Sequence, residues 1–500
     1  MIMVRYAEPA GRWVLLATVL GSGLTFLDAT VVNIALPRIG DDFGAGAAAL
    51  QWTVNGYTLS LAALILLGGS LGDRFGRRRI FVVGIAWFAV ASLLCGLAPN
   101  VETLIAARVL QGIGGALLTP GSLAILEASF EADDRAKAIG AWSGMAGVAG
   151  AIGPFLGGWL VEAASWRLVF LINVPLAALV IFVALRHVPE SSNPAAVLSA
   201  AGSSAFAALR GFDVAGLLTG AAGLAGLTYG FTAWAAEGPG SPAVLAALAV
   251  GVGGIAAFVV VEHRSSRPML PLELFRIRPF TAANLVTFAV YAALGGVFFL
   301  VVLNLQVVSG YSPLAAGTAL LPVTALMLVL SARAGALGQR IGPRIPMTVG
   351  PLVCAGALLL LARVGAGAGY LVDVLPAAIL LGLGLSLTVA PLTATALGSV
   401  PERNAGIASG VNNAVARAAG LLAVATLPLA AGIGTGSLTD AGDLAPVYRN
   451  SMLICAGLLV VGAAAAAAWV PTKVTREAAV PVHCAVTGPP QHRLREQSPT

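Results

Sequence analysis

Apolar stretches of 18 or more residues recur along almost the whole 500-residue chain, and no other feature narrows its possible folds so far. Each is long enough to cross a hydrocarbon layer about 30 Å thick as a helix. Fourteen can be read: about 13–36, 50–71, 80–98, 103–126, 137–160, 167–186, 213–234, 242–261, 281–307, 314–336, 346–364, 373–396, 405–430 and 450–470. Inside a bilayer, backbone polar groups must be satisfied within a helix or in a closed barrel. The continuous apolar runs lack the alternation of a barrel strand. Only 10% of the residues are charged, against roughly 25% in an ordinary soluble domain. The fold class expected is an all-α polytopic membrane protein. The first stretch runs about 24 residues without a small-residue cleavage site followed by a polar mature domain, so it reads as a retained span rather than a signal peptide.

Charge supplies the orientation. With the N-terminus in the cytoplasm, 21 of the 28 Lys and Arg residues fall on the inner side, four outside (Arg38, Arg167, Arg363, Arg449) and three within spans (Arg108, Arg333, Arg417). The positive-inside rule then places both termini in the cytoplasm for an even number of spans. The basic residues form no single patch, so the pI near 9.5 does not indicate a nucleic-acid partner. Cys95, Cys354, Cys455 and Cys484 have no metal-ligand spacing and read as small apolar fillers. The four histidines (His187, His263, His483, His492) lie in cytoplasmic segments. HExxH, GxSxG and Walker-type motifs are absent. An enzyme is not expected, nor any cofactor or metal; an ion gradient is the expected energy source.

Residues 69–79 read GSLGDRFGRRR, and 266 positions on, residues 335–344 read GALGQRIGPR. This echo aligns the second span with the tenth. The repeat unit is therefore six spans, with an inserted pair between the halves, as in transporters built from parallel repeats. The division expected is a first six-helix bundle at 1–186, a cytoplasmic linker at 187–212 and the inserted pair at 213–262. A connector at 263–280, the second bundle at 281–470 and a disordered tail at 471–500 complete it. The connector mixes four arginines with Met269, Leu270, Leu272, Leu274, Phe275 and Ile277, and is expected to lie apolar side down in the inner headgroup region.

Of 22 Asp and Glu residues, only Asp28 lies well inside an apolar helix, in LDATVVNIALP (27–37). An unpaired carboxylate there is costly to ionise, which makes it the leading proton or cation site. The alternative is a silent Asp bonded to backbone or to Asn33. Arg108 opens RVLQGIGGALLTPG (108–121). It cannot shed its charge and must find acceptors, or else snorkel to the outer interface as an anchor. Gln111, one turn on, can share its network. Gly144, Gly147, Gly150, Gly153 and Gly157 mark one face of the fifth span, with Gly158 and Pro154 beside them. Such a face forms a hinge or seal, or simply packs closely.

In the first charged turn, Gly69, Gly72 and Gly76 allow a tight connection. Asp73, Arg74, Arg77 and Arg78 can pair with helix ends and carboxylates of the other bundle and so bias an inner gate; otherwise the cluster only sets topology. In the echo Asp73 becomes Gln339 and Arg77 becomes Pro343, so the halves should gate unequally. Asn33, Trp52, Tyr57, Asn304, Gln306 and Arg417 are candidates for a substrate path.

Taken in order, these motifs resemble the major facilitator superfamily, specifically its fourteen-span drug:proton antiporter branch, the EmrB/QacA-like group, over about residues 12–470. The loop phrase, LDATVVNIALP, Arg108 through Gly115, and the antiporter motif met by Gly144, Gly153, Pro154, Gly157 and Gly158 carry the likeness. WRLVFLINVP (166–175) and SGVNNAVARAAG (409–420) extend it. The resemblance implies two six-helix bundles plus two inserted helices, working as a rocker-switch exporter. It would place Asp28 in proton coupling, Arg108 in proton transfer, the 144–158 face in setting the direction of exchange, and Asp73 with its arginines in gating. Several cation-exporting members carry acids in spans ten and thirteen, but 314–336 and 405–430 have none. A neutral, anionic or zwitterionic lipophilic compound fits at least as well as a dicationic drug.

The reading is proton-coupled efflux of a lipophilic drug or antibiotic across a bacterial inner membrane, by a monomer whose partners are the lipid bilayer, the substrate and protons. An importer or facilitator on the same fold is the alternative. A non-transporting scaffold would need a soluble domain, and the longest non-membrane pieces are the linker and the tail. Twenty-six arginines against two lysines suggest a GC-rich genome and self-resistance to a natural product.

Overall fold

The computed structural model describes residues 4–6, 8–191, 213–265, 268–400, 405–433 and 437–472. Most of the 187–212 linker and nearly all of the tail lie outside these residues. The described chain is helical, with one isolated bridge between Val4 and Phe130. The first bundle comprises α1 (Pro9–Phe43), α2 (Ala47–Phe75), α3 (Arg77–Gly96), α4 (Val101–Ser129), α5 (Ala132–Ala163), and the short α6 (Leu168–Leu171) running into α7 (Asn173–His187). The inserted pair is α8 (Val214–Glu237) and α9 (Pro242–Arg264). The second bundle follows as α10 (Arg278–Val307), α11 (Pro313–Ala319), α12 (Leu321–Ile341), α13 (Arg344–Leu361), α14 (Leu375–Gly398), α15 (Ala405–Ala430) and α16 (Ala441–Trp469).

Among the described residues, twelve helical segments are long and apolar enough to cross a membrane, or thirteen if the bent pair Ala47–Ile65 and Leu67–Phe75 counts as one span. The remaining stretch of the fourteen, 137–160, lies in the 32-residue α5, where many side chains fall outside the described set. The protein is a multi-pass helical membrane protein.

Helix starts and stops follow the local sequence. Pro9 opens α1, where its missing N–H is no loss, and Gly44 closes it in the left-handed conformation with its N–H on the Gly40 carbonyl. Asn100 caps α4 by accepting from the Thr103 N–H at 2.8 Å. The repeat is visible in the backbone. Gly76 turns α2 into α3 at φ 104°, and Gly342, 266 positions on, turns α12 into α13 at φ 86°. Only glycine adopts such angles without strain, which explains why these two positions survive in both copies of the phrase.

The inserted helices meet through glycines, Gly226 against Gly251 and Gly223 against Gly254, so that their backbones touch. Helix α8 then docks on α2 and α15, one from each bundle. The connector differs from its expected form. Leu272–Arg276 is a short 3-10 helix, and Leu274 is buried with Phe280, Val400, Ala408 and Val411 of the second bundle. Its apolar side chains find protein to pack against, which a surface-lying amphipathic helix would not.

Candidate functional site

Five helices converge on one polar cluster within the first bundle. Asp28 of α1 is fully buried, and Arg108 of α4 is 1% exposed. An Arg108 Nη1 donates to Asp28 Oδ2 at 2.5 Å, its Nε to the Thr53 carbonyl of α2 at 3.0 Å, and the same Nη1 to Gln111 Oε1 at 2.5 Å. The other oxygen, Asp28 Oδ1, accepts from Gln111 Nε2 at 2.8 Å and from Asn173 Nδ2 of α7 at 3.1 Å. Ser92 of α3 accepts from both of these amides, at 2.7 and 3.4 Å. The Tyr57 ring lies over the guanidinium with 4.4 Å between them, and Phe170 closes the other side at 5.7 Å.

Asp28 is therefore not an unpaired carboxylate; an Asn does bond it, but it is Asn173 and not Asn33, whose amide donates to the Ala29 carbonyl instead. Arg108 does not snorkel: an acid lies within its reach, and the buried pair satisfies both charges where water is absent. Gln111 is part of the same network. Asn173 and Ser92, which sequence reasoning passed over, complete it. A lone Asn in the apolar phrase WRLVFLINVP was the available signal for the first. Ser92 had none, since hydroxyls are common in these spans.

The α5 glycine face packs against the turn of α1 that bears Asp28. A Cβ at Gly153 would meet Thr30, and one at Gly157 would lie 2.9 Å from Val31 Cγ1. Gly158 turns to the second bundle, where a Cβ would lie 2.7 Å from the Leu314 Cα and the Pro313 oxygen. Gly317 of α11 fits in turn against the Pro154 carbonyl. Gly144 lies in the part of α5 whose side chains are outside the described set. Thus α5 touches both the ion-pair turn and the opposite bundle.

The two bundles join at the end remote from the 69–79 turn. Gln51 donates to the Val424 carbonyl at 3.0 Å, Gln306 to the Ile34 carbonyl at 3.1 Å, and the Leu314 N–H to Glu162 at 3.1 Å. At the turn itself, the pairs seen for Arg77 and Arg78 lie inside the first bundle. Arg77 pairs with Asp73 at 2.8 Å and donates to the Ala124 carbonyl of α4. Arg78 faces Glu190 at 3.7 Å, and the Glu190 carboxylate caps α3 by accepting from the Arg78 and Arg79 N–H groups. The reason is proximity: the segment after α7 folds back over the start of α3, with the Arg77 N–H on the Ser191 carbonyl. Glu190 sits in a Pro- and Ser-rich stretch and escaped notice in the sequence. Gly69 approaches Pro120 of α4, and Gly72 faces Arg77. Arg74 lies on the last turn of α2.

The remaining path candidates scatter. Tyr57 covers the ion pair and Arg417 lies half-buried on α15. Asn33 lies in the first-bundle core. Trp52 faces Tyr229 of the inserted pair, Asn304 is tied to the Val364 carbonyl, and Gln306 belongs to the remote seam.

Two bundles related by an internal repeat, sealed together at one end, with a buried intramembrane ion pair inside the first of them, are the architecture of a membrane transporter and not of an enzyme. Residues 18–424 match the family model of the Major Facilitator Superfamily, and the chain belongs to that superfamily. It is 37% identical over 401 residues to the multidrug resistance protein Stp of Mycobacterium tuberculosis, covering 80% of this chain and 72% of that one. It is also 37% identical over 416 residues to the tetracenomycin C resistance and export protein of Streptomyces glaucescens (83% and 74% covered). The puromycin resistance protein pur8 of Streptomyces alboniger is 36% identical over 443 residues (87% and 85%). Among solved structures, a bacterial homologue of the human lysosomal transporter Spinster superposes with a TM-score of 0.63 at 19% identity, covering 92% of this chain and 97% of that one. A POT family transporter in complex with a thioalcohol-conjugated peptide reaches 0.69 at 13% identity, covering 93% and 97%. These share the fold.

Proposed function

We propose that the protein exports a lipophilic small molecule in exchange for protons, by alternating access, in a bacterial inner membrane with the 69–79 turn in the cytoplasm. The observation that carries this reading is the buried Asp28–Arg108 pair on a turn gripped by α5. A proton delivered to Asp28 cancels the carboxylate charge and leaves the guanidinium with Thr53 and Gln111 alone. The pair's geometry then loses its reason, and the change falls on the α1 turn against which Gly153 and Gly157 pack. Since Gly158 abuts the second bundle, that change reaches the seam that must open for substrate to leave. The seam is closed on the outer side here, so this form accepts substrate from the cytoplasm or inner leaflet.

The groups facing the Asp28–Gln111 cluster from neighbouring helices include Tyr57, Asn173, Ser92 and the Cys95 thiol, so Asp28 is its one carboxylate among the described residues. The names of the relatives make puromycin and tetracenomycin C suitable first test compounds. In inverted vesicles, Asp28→Asn should abolish pH-gradient-driven accumulation at normal expression. Undiminished accumulation by that variant would remove Asp28 from the coupling step.

A further inference from the structure

Three arginines lie within spans, and the structure treats them differently. Arg108 is saturated by Asp28, Gln111 and Thr53. Arg417 sits twelve residues into α15, about 18 Å along its axis from Ala405. It is half-buried, and among the described residues no acceptor is bonded to it and no carboxylate pairs with it. A guanidinium cannot neutralise itself by losing a proton, so a mid-membrane site that leaves it unpaired needs an external anion. The surrounding charge offers no internal substitute, because 314–336 and 405–430 contain no acid and Arg333 of α12 is a second unpaired, exposed cation.

Helix α15, which carries Arg417, packs against α2 of the first bundle and α10 of the second, so Arg417 stands on a helix that touches both. Asn413, one turn earlier on the same face of α15, is exposed. Val411, Ala414, Val415 and Ala418 on a different face line an apolar cavity of about 230 Å³ shared with α2, the connector and the inserted pair.

We propose that Arg417 binds an acidic group, a carboxylate or ionised phenol, on the lipophilic compound the protein carries. The assignment rests on the export reading for its substrate but not for its geometry. A one-for-one exchange of such an anion for a proton moves two charges per cycle, both in the direction an inside-negative potential favours.

The test uses the full-length protein in nanodiscs and equilibrium binding of three matched aromatic pairs: pyrenebutyrate, anthracene-9-carboxylate and fluorescein, each against its methyl ester. At least one acid should bind the native protein about tenfold or more tighter than its ester, as a charge-assisted contact predicts. Arg417→Gln should remove that preference by weakening the acid alone, and Arg417→Lys should keep part of it. Absence of acid preference in every pair overturns the assignment. So does an Arg417→Gln variant that weakens acid and ester alike. Retained acid preference without gradient-driven accumulation in vesicles would instead overturn the export reading and leave Arg417 as an anion site.

Discussion

Replacing Asp28 and Arg108 singly and together separates their structural role from their chemical one. Asp28→Asn leaves a charged guanidinium, 1% exposed, with two neutral acceptors. Asn must also turn its own amide toward Arg108 or toward the Gln111 and Asn173 donors, losing a further bond. Breaking a buried pair from one side costs about 3–5 kcal/mol. Arg108→Gln strands the Asp28 carboxylate on two amides and should cost a similar amount. Asp28→Asn with Arg108→Gln removes both charges, and replacing a buried pair as a whole is often close to neutral. The double variant should therefore lie nearer the native protein than either single one, so the coupling energy must exceed the larger single loss, about 3–5 kcal/mol or more, above the usual range for contacting residues. Unfolding by SDS titration in mixed micelles measures all four corners of the cycle. Additive losses would show that the two side chains do not act as a unit. The folded double variant should also fail to use a pH gradient, and gradient-driven transport by it would refute Asp28 as the proton carrier.

Two further outcomes follow from the packing. Gly158→Ala places a methyl 2.7 Å from backbone atoms of Pro313 and Leu314, which cannot move like a side chain, so the outer seam should part. An impermeant maleimide applied from outside should then label Ala316→Cys, 1% exposed in the closed seam, much faster than in the native background. An unchanged rate refutes the seal. At the inner turn, Glu190→Gln weakens the cap of α3, an effect of about 1 kcal/mol, and Arg77→Ala frees Asp73 and the Ala124 carbonyl. Both should slow turnover more than they weaken substrate binding, and normal turnover would reduce the turn to a topology signal.

Depth in the membrane was legible along this chain, and direction around each helix was not. Asp28 and Arg108 stand out because ionisable residues are rare inside spans, whatever face they occupy. The glycines at 76 and 342 are legible for the same reason: a backbone requirement shows at the residue itself. Trp52, Asn304 and Gln306 lie at plausible depths but face the inserted pair, the Val364 carbonyl and the remote seam. These helices are apolar nearly all round, so periodicity gives no azimuth. Asn173 and Ser92 could be placed beside Asp28 only once the packing of α1, α3, α4 and α7 was known.

The charge on Arg417 also constrains how exchange can operate. Opposite charges attract more strongly across a protein interior than through water. An anion held at Arg417 would therefore attract a proton to Asp28 rather than compete with it. Binding alone then favours a form that carries both, which is the loading of a symporter. Export in exchange for protons requires that this doubly loaded form be unable to rock, so the discrimination must lie in the moving parts. Helix α5 is placed to supply it, since the same glycine face that packs on Leu27–Val31 meets Pro313 and Leu314 across the seam. The turn that feels the proton is thereby in contact with the surface that must slide. An exchanger of this kind would be coupled by which loaded forms fit the seam, and not by rivalry for one site.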